Sequence, residues 1–216
     1  MREITKMSEP PSLTQHRKRP HCNYDNYPKE DKDKLRELLV AEQRGLCCYC
    51  MKRIEPHPDS MKIEHWKCRS KYPGEELNYR NLLGACLGNE GGVKSERHCD
   101  ARKGNNDLQW NPANPSHAVE ATLSYGADGR ISSNDSSFNA QLNDVLNLNL
   151  NAIRNQRKSR IDSTLKWWAA QQRKKGKTTR NAVEREIAKF APADGHLDPY
   201  SPVAVWLLRQ KISRMR

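Results

Sequence analysis

The sequence predicts an α+β protein in which a small core, held largely by ligands, is embedded in a mostly helical chain with one short β-hairpin. Three observations carry this prediction. Apolar residues make up only 35% of the 216 and charged residues 30%, a poor supply for one large core. Most of the cysteines fall between residues 46 and 106, a stretch with no long regular periodicity. Helical spacing and turn residues mark the text on either side.

Residues 1–28 are rich in Pro and in polar and basic residues without period, and predict an extended arm, either disordered or laid on a partner. From Lys29 the text KEDKDKLRELLVAEQRG places Leu35, Leu38, Leu39 and Glu42 at helical spacing. Acids in its first turn and Gly45 past its end suit the helix dipole and the cap, giving a helix over 29–45. The ligand-held core follows over 46–106. In the remainder, 107–216, HAVEATLSYGADGRISS reads as two short strands around a GADG turn. Residues 141–172 are expected to be helical, then KKGKTT breaks the pattern, a further helix runs over 180–190, and VAVWLLRQKI forms a short apolar helix that docks on the core or on a partner.

The formal net charge of +12 suggests a polyanionic partner, since a summed positive field concentrates phosphate and speeds encounter. Charge alone does not separate nucleic acid from an acidic protein or a membrane surface. Between Arg154 and Arg180 the many Lys and Arg face a single acid, Asp162, so a basic helix face bearing Arg154, Arg157, Lys158, Arg160, Arg173, Lys174 and Lys175 is expected to meet nucleic acid. The competing reading is a solvated surface. The first residues lack the apolar stretch of a signal peptide, and no run approaches the ~20 apolar residues of a membrane span, so the expected compartment is the cytoplasm, with no membrane partner.

In that compartment seven cysteines read more easily as metal ligands and spare thiols than as disulfides. Cys47 and Cys50 have the C-x2-C spacing that presents two thiolates to one tetrahedral ion. Redox pairs share this spacing but start a helix after a strand, whereas here a helix precedes the pair. Cys86 and Cys99 supply the second half, separated by a Gly-rich polar excursion, and the four define a structural Zn2+ site. His98 is the alternative ligand to Cys99. Cys22, Cys48 and Cys68 are left as spare or ordinary small residues.

Between and after these cysteines stand KIEHWKCRS, NYRNLLGAC and DARKGN. The compound order C-x-Y-C, E-H, N-L-L-x-x-C, C-D-x-x-K-G-N resembles the HNH endonucleases, a group with a ββα-metal core and, in this branch, four zinc-binding cysteines. The resemblance covers about residues 45–106 and implies phosphodiester hydrolysis. It implies His65 as general base, Asn81 as the residue that fixes the His65 side of the hairpin, and Glu64 and Asp100 as ligands of a catalytic Mg2+ or Mn2+. The family more often has Asp at the Glu64 position and Asn or His at that of Asp100. Lys103, one turn beyond Asp100, would contact substrate phosphate or be solvated. In an extended strand, Glu64 and His65 point to opposite faces. A zinc-stabilised binding module in which His65 is structural is the bland competitor.

The flanks extend the resemblance. EPPSLTQHR in the arm, AEQRG-LCCYC, the GADGRI turn, LNLN with its Arg-rich continuation and the apolar last helix are together similar to the PtuB-like HNH proteins of Septu and retron antiphage systems. That resemblance implies a PtuA-like ABC-type ATPase as partner and, in retron systems, a reverse transcriptase with its RNA–DNA product. The arm and the last helix would then be docking elements. DNA is the expected substrate, with RNA including tRNA as the other option, and a homing or restriction nuclease acting alone is the alternative within the enzyme class.

Overall fold

A computed structural model describes residues 1–175 and 179–215, the side chains of Lys174 and Lys175 excepted, so the expectations for these two lysines lie outside the described residues. The helices are α1 (Pro11–Arg17), α2 (Lys29–Glu42), α3 (Asp100–Lys103), α4 (Val119–Thr122), α5 (Ser136–Asp144), α6 (Asn151–Lys175), α7 (Arg180–Phe190) and α8 (Ser201–Ser213). The strands are β1 (Met61–His65), β2 (Leu82–Cys86), β3 (Leu123–Tyr125) and β4 (Ile131–Ser133). The result is a mostly helical α+β fold with two short antiparallel strand pairs, β1–β2 and β3–β4, and a buried group of four cysteines.

Helix α2 buries Leu35 and Leu39 and ends in a Schellman motif. Gly45 N donates to Val40 O at 2.8 Å and Arg44 N to Ala41 O at 3.0 Å, with Arg44 itself in the left-handed region at φ 57°. The turn delivers the chain directly into Cys47. Gln43, buried at the same end, bridges to β2: its Nε2 donates to Gly84 O at 2.7 Å and its Oε1 accepts from Gly84 N at 2.6 Å. A Cβ at position 84 would meet Ile54, Met61 and Gln43 at 3.0–3.2 Å, so glycine permits this close approach.

Residues 1–28 differ from the arm that composition suggests. They contain α1, and Met1, Ile4, Leu13 and Tyr27 are buried in the main core. Ile4 N donates to Pro112 O at 2.8 Å, and Lys6 Nζ bonds Glu42 at 2.5 Å and Leu82 O at 2.8 Å. These anchors reach the core singly and at irregular intervals, and therefore leave no periodic trace.

The helix expected over 141–172 is broken between α5 and α6. In LNLN the leucines at 146 and 148 are fully buried, while Asn147 (φ 50°) donates to Ser95 O and Arg97 O, and Asn149 pairs with both backbone groups of Ile131. The crossover is a run of turns in which buried leucines alternate with asparagines whose side chains bond neighbouring backbone. Helix α8 buries Val203, Ala204 and Leu208 and packs on α6 and α7. No helix among the described residues is long and apolar enough to cross a membrane.

Candidate active site and metal centre

The sulfurs of Cys47, Cys50, Cys86 and Cys99 all lie within 4.8 Å of one another, and all four residues are buried. Cys47 Sγ is 3.9 Å from Cys99 Sγ, and Cys50 Sγ is 3.7 Å from Cys86 Sγ. A tetrahedron with Zn–S bonds of about 2.3 Å places its sulfurs roughly 3.8 Å apart, so the donor set, its burial and its spacing fit a structural Zn2+. All seven cysteines are free, which excludes the disulfide reading. The knuckle is closed by Cys47 N donating to Lys52 O at 2.9 Å, with Met51 in the left-handed region. Cys86 N donates to Cys47 Sγ at 3.3 Å, a bond that favours thiolate at Cys47. His98 Nδ1 lies 3.2 Å from Cys99 Sγ, beside the cluster and outside it. Cys48 is buried as well but is not one of the four.

From this cluster β1 and β2 run antiparallel in register, Met61 opposite Cys86 at one end and His65 opposite Leu82 at the other. Helix α3 starts at Asp100, directly after the Cys99 ligand. The geometry therefore brings Glu64, His65, Asn81 and Asp100 to neighbouring positions. Glu64 is buried, and its Oε1 receives two donors, Tyr49 OH at 2.8 Å and Lys103 Nζ at 2.9 Å. Burial pushes the Glu64 carboxyl well above the usual carboxylate range, the nearby Asp100 carboxylate adds to this, and Lys103 opposes it.

His65 is only 8% exposed. Its Nε2 lies 3.0 Å from the Glu76 carbonyl. A carbonyl only accepts, so Nε2 carries the proton and Nδ1 keeps the lone pair. The Tyr24 ring meets the imidazole edge-on, with centroids 4.5 Å apart. Burial pushes the His65 pKa down to about 4, and the Arg69 cation adds to this, against the Glu76 carbonyl and Asp100. Asn81 makes no hydrogen bond to the imidazole. It clamps the segment after it, accepting from Lys67 N at 2.7 Å and donating to Lys67 O and Glu75 O, each at 3.0 Å. Glu64, His65 and Asp100 line one open groove of about 780 Å³, together with Tyr24, Arg36 and Arg69.

Two of the expected phosphate contacts are corrected. Lys103 is 1% exposed and donates to Glu64 and to His65 O at 3.1 Å, so it braces the site from behind. Arg157 is fully buried, its guanidinium donating to Gly129 O at 2.7 Å, Leu148 O at 2.6 Å and Asn149 Oδ1 at 3.0 Å. It ties α6 to the β3–β4 turn and the LNLN crossover, and no phosphate can reach it. Arg154, Lys158 and Arg160 are partly exposed but paired with Asp128, Asp162 and Asp198 respectively. Arg173 is exposed.

Sequence reasoning missed Tyr49, the third residue of CCYC, which carries the knuckle's position to Glu64. An aromatic hydroxyl between two ligands was the available sign. It also missed Glu42, whose buried carboxylate accepts from Lys6 Nζ at 2.5 Å, Tyr79 OH at 2.5 Å and Met7 N at 3.1 Å. Nothing in a single helical sequence marks such a junction.

Fold and cluster together define the chain as carrying a buried four-cysteine module suited to zinc. No family model matches the chain. It is similar to the Septu protein PtuB of Bacillus thuringiensis, 28% identical over 78 residues, a match that covers 36% of this chain and 26% of that relative. The likeness is distant and partial.

Proposed function

We propose that the chain is a metal-dependent endonuclease of the HNH kind, hydrolysing phosphodiester bonds of nucleic acid. The observation that carries this is the groove in which His65, with its proton fixed on Nε2, stands beside two neighbouring carboxylates, Glu64 and Asp100. His65 Nδ1 would take the proton of the attacking water, as a neutral imidazole can near pH 7. Glu64 Oε2 and Asp100 would hold a hard divalent cation, Mg2+ or Mn2+, which commonly binds through one or two carboxylates plus substrate phosphates. When bound, that ion supplies charge for the phosphoryl oxygens and the leaving group. Asn81 positions the strand end carrying His65, and the Zn2+ module holds β1, β2 and α3 in place without taking part in chemistry.

The distant likeness to a Septu protein supports a place in antiphage defence, with an ABC-type ATPase of the PtuA kind as partner and a cytoplasmic setting. A retron reverse transcriptase with its RNA–DNA product is a further partner on the same ground. Co-purification with the ATPase tests this, and absence of a complex favours a nuclease acting alone.

A second reading is supported by one observation: the Lys103 ammonium already neutralises Glu64. On that reading the chain is a zinc-stabilised nucleic-acid-binding module without catalysis. Plasmid and total RNA incubated with Mg2+ or Mn2+ and either wild type or His65→Ala decide between them. The nuclease reading expects cleavage that falls about 10²- to 10⁴-fold in the variant. Equal cleavage by both defeats the assigned mechanism, and binding without cleavage by either supports the module.

A further inference from the structure

We propose that Arg36 and Arg69, with Lys32 behind them, form a phosphate subsite beside His65, in which the carboxylate of Asp25 holds Arg69 when no nucleic acid is bound. The proposal rests on the nucleic-acid reading above and names where the backbone lies. It places that contact on α2, the N-terminal segment and the loop after β1, outside the basic face of α6.

The cations converge on one aromatic ring. Lys32 Nζ lies 4.8 Å and the Arg69 guanidinium 5.1 Å from the centre of the Tyr24 ring, which in turn abuts His65. Lys32 and Arg36 are one helical turn apart on α2, and mutual repulsion with Arg69 adds to burial in pushing the Lys32 pKa down. Arg36 and Arg69 both line the His65 groove. Arg36 gives one nitrogen to Asp33 at 2.6 Å, and its Nε is buried and without a partner among the described residues. Three cations gathered against two carboxylates leave a net positive charge, an arrangement that a phosphate would complete.

Asp25 is the group a phosphate would replace. Its Oδ1 accepts from Arg69 Nη1 at 2.6 Å, and its backbone carbonyl accepts from Lys32 Nζ at 3.2 Å. The Asp25 side chain is 81% exposed, so the Arg69 pair is screened and exchanges readily. A phosphodiester offers the same guanidinium two non-bridging oxygens that share its negative charge, in bidentate geometry, where Asp25 gives one carboxylate oxygen. The groove is thus divided: Glu64 and Asp100 favour a cation, Arg36 and Arg69 a phosphate, and His65 feels both Arg69 and Asp100. Such contacts position the strand and carry no sequence information.

The test measures binding of a 20-base-pair DNA duplex and a single-stranded RNA across a salt series, without added divalent cation, for wild type, Arg36→Ala, Arg69→Ala and Asp25→Asn. Bound zinc is measured on each protein as a check of folding. The expected result is a loss of about 0.9 in the log–log salt slope on duplex per arginine removed, and about 0.7 on single strand. Asp25→Asn is expected to tighten binding about two- to fivefold with an unchanged or steeper slope. Arginine variants that bind with wild-type affinity and slope overturn the subsite and leave the nuclease reading standing. Failure of wild type to bind either probe overturns both. If an arginine variant loses its zinc, Asp25→Asn decides alone, and unchanged or weaker binding by it overturns the proposal.

Discussion

The β1–β2 ladder has two unlike ends. At Met61 and Cys86 it is fastened by a cluster of four thiol ligands, and at His65 and Leu82 by hydrogen bonds that Asn81 and Lys103 donate and one that the Glu76 carbonyl accepts from His65. The first end is buried and needs no further polar partner once an ion is held. The second opens on a groove that Glu64, His65 and Asp100 line. The difference shows how a chain this hydrophilic can build a polar site: ligation at one end fixes the strands, so the other end need not be held by apolar burial. Tyr49 links the two, standing inside the knuckle and donating to Glu64.

The comparison is broken most severely at the thiol end. Cys50→Ala is expected to lose the zinc and cooperative unfolding with it, since structural zinc contributes apparent binding energies of about 10–16 kcal/mol. Cys48→Ala, two residues away, keeps one zinc per chain. Metal analysis and thermal unfolding of the two variants check this, and zinc retained by Cys50→Ala would show that the cluster does not hold the ion.

At the polar end the largest effect is expected from the buried pair. Lys103→Met removes the donor to Glu64 and to His65 O and is expected to cost about 3 kcal/mol in chemical denaturation. Adding Glu64→Gln should recover part of that loss, because the amide does not call for a cationic partner. A double variant whose loss is the sum of the two single losses would mean that the residues do not interact.

The same contrast explains what was legible in the sequence. The four cysteines could be read because metal geometry demands few residue types at restricted spacing. Helix α2 announced itself through Leu35 and Leu39 and its terminal glycine. The roles of Lys103 and Arg157 could not be read, since a cation that satisfies buried carbonyls is spelled like one that meets phosphate. The charge run of α6 gave no indication that Arg154, Lys158 and Arg160 find acids brought from distant loops or the next turn. The N-terminal segment was illegible for a related reason: Met1, Ile4, Leu13 and Tyr27 are anchored by tertiary partners, with no period of their own.

A smaller effect separates positioning from chemistry. Asn81→Ala removes three hydrogen bonds to Lys67 and Glu75 but leaves every thiol in place. A loss of about 1–3 kcal/mol is expected, with full zinc content. Zinc loss in this variant would show that the two ends are not independent.

The smallest effect is a pH dependence confined to the polar end. Burial holds the His65 pKa at about 4 against an ordinary 6.5, so the unfolded chain takes up this proton before the folded one does. The stabilisation from keeping His65 neutral is complete above pH 6.5 and is lost as pH falls toward 4. By pH 5.5 the loss amounts to about 1.4 kcal/mol. His65→Gln lacks this contribution, so the stability difference between wild type and variant should shrink by that amount between pH 8 and pH 5.5. Taking the difference cancels protonation of the zinc thiolates, which both proteins share. A difference constant over this range would mean that His65 is hydrated in solution and that Tyr24 does not close over it.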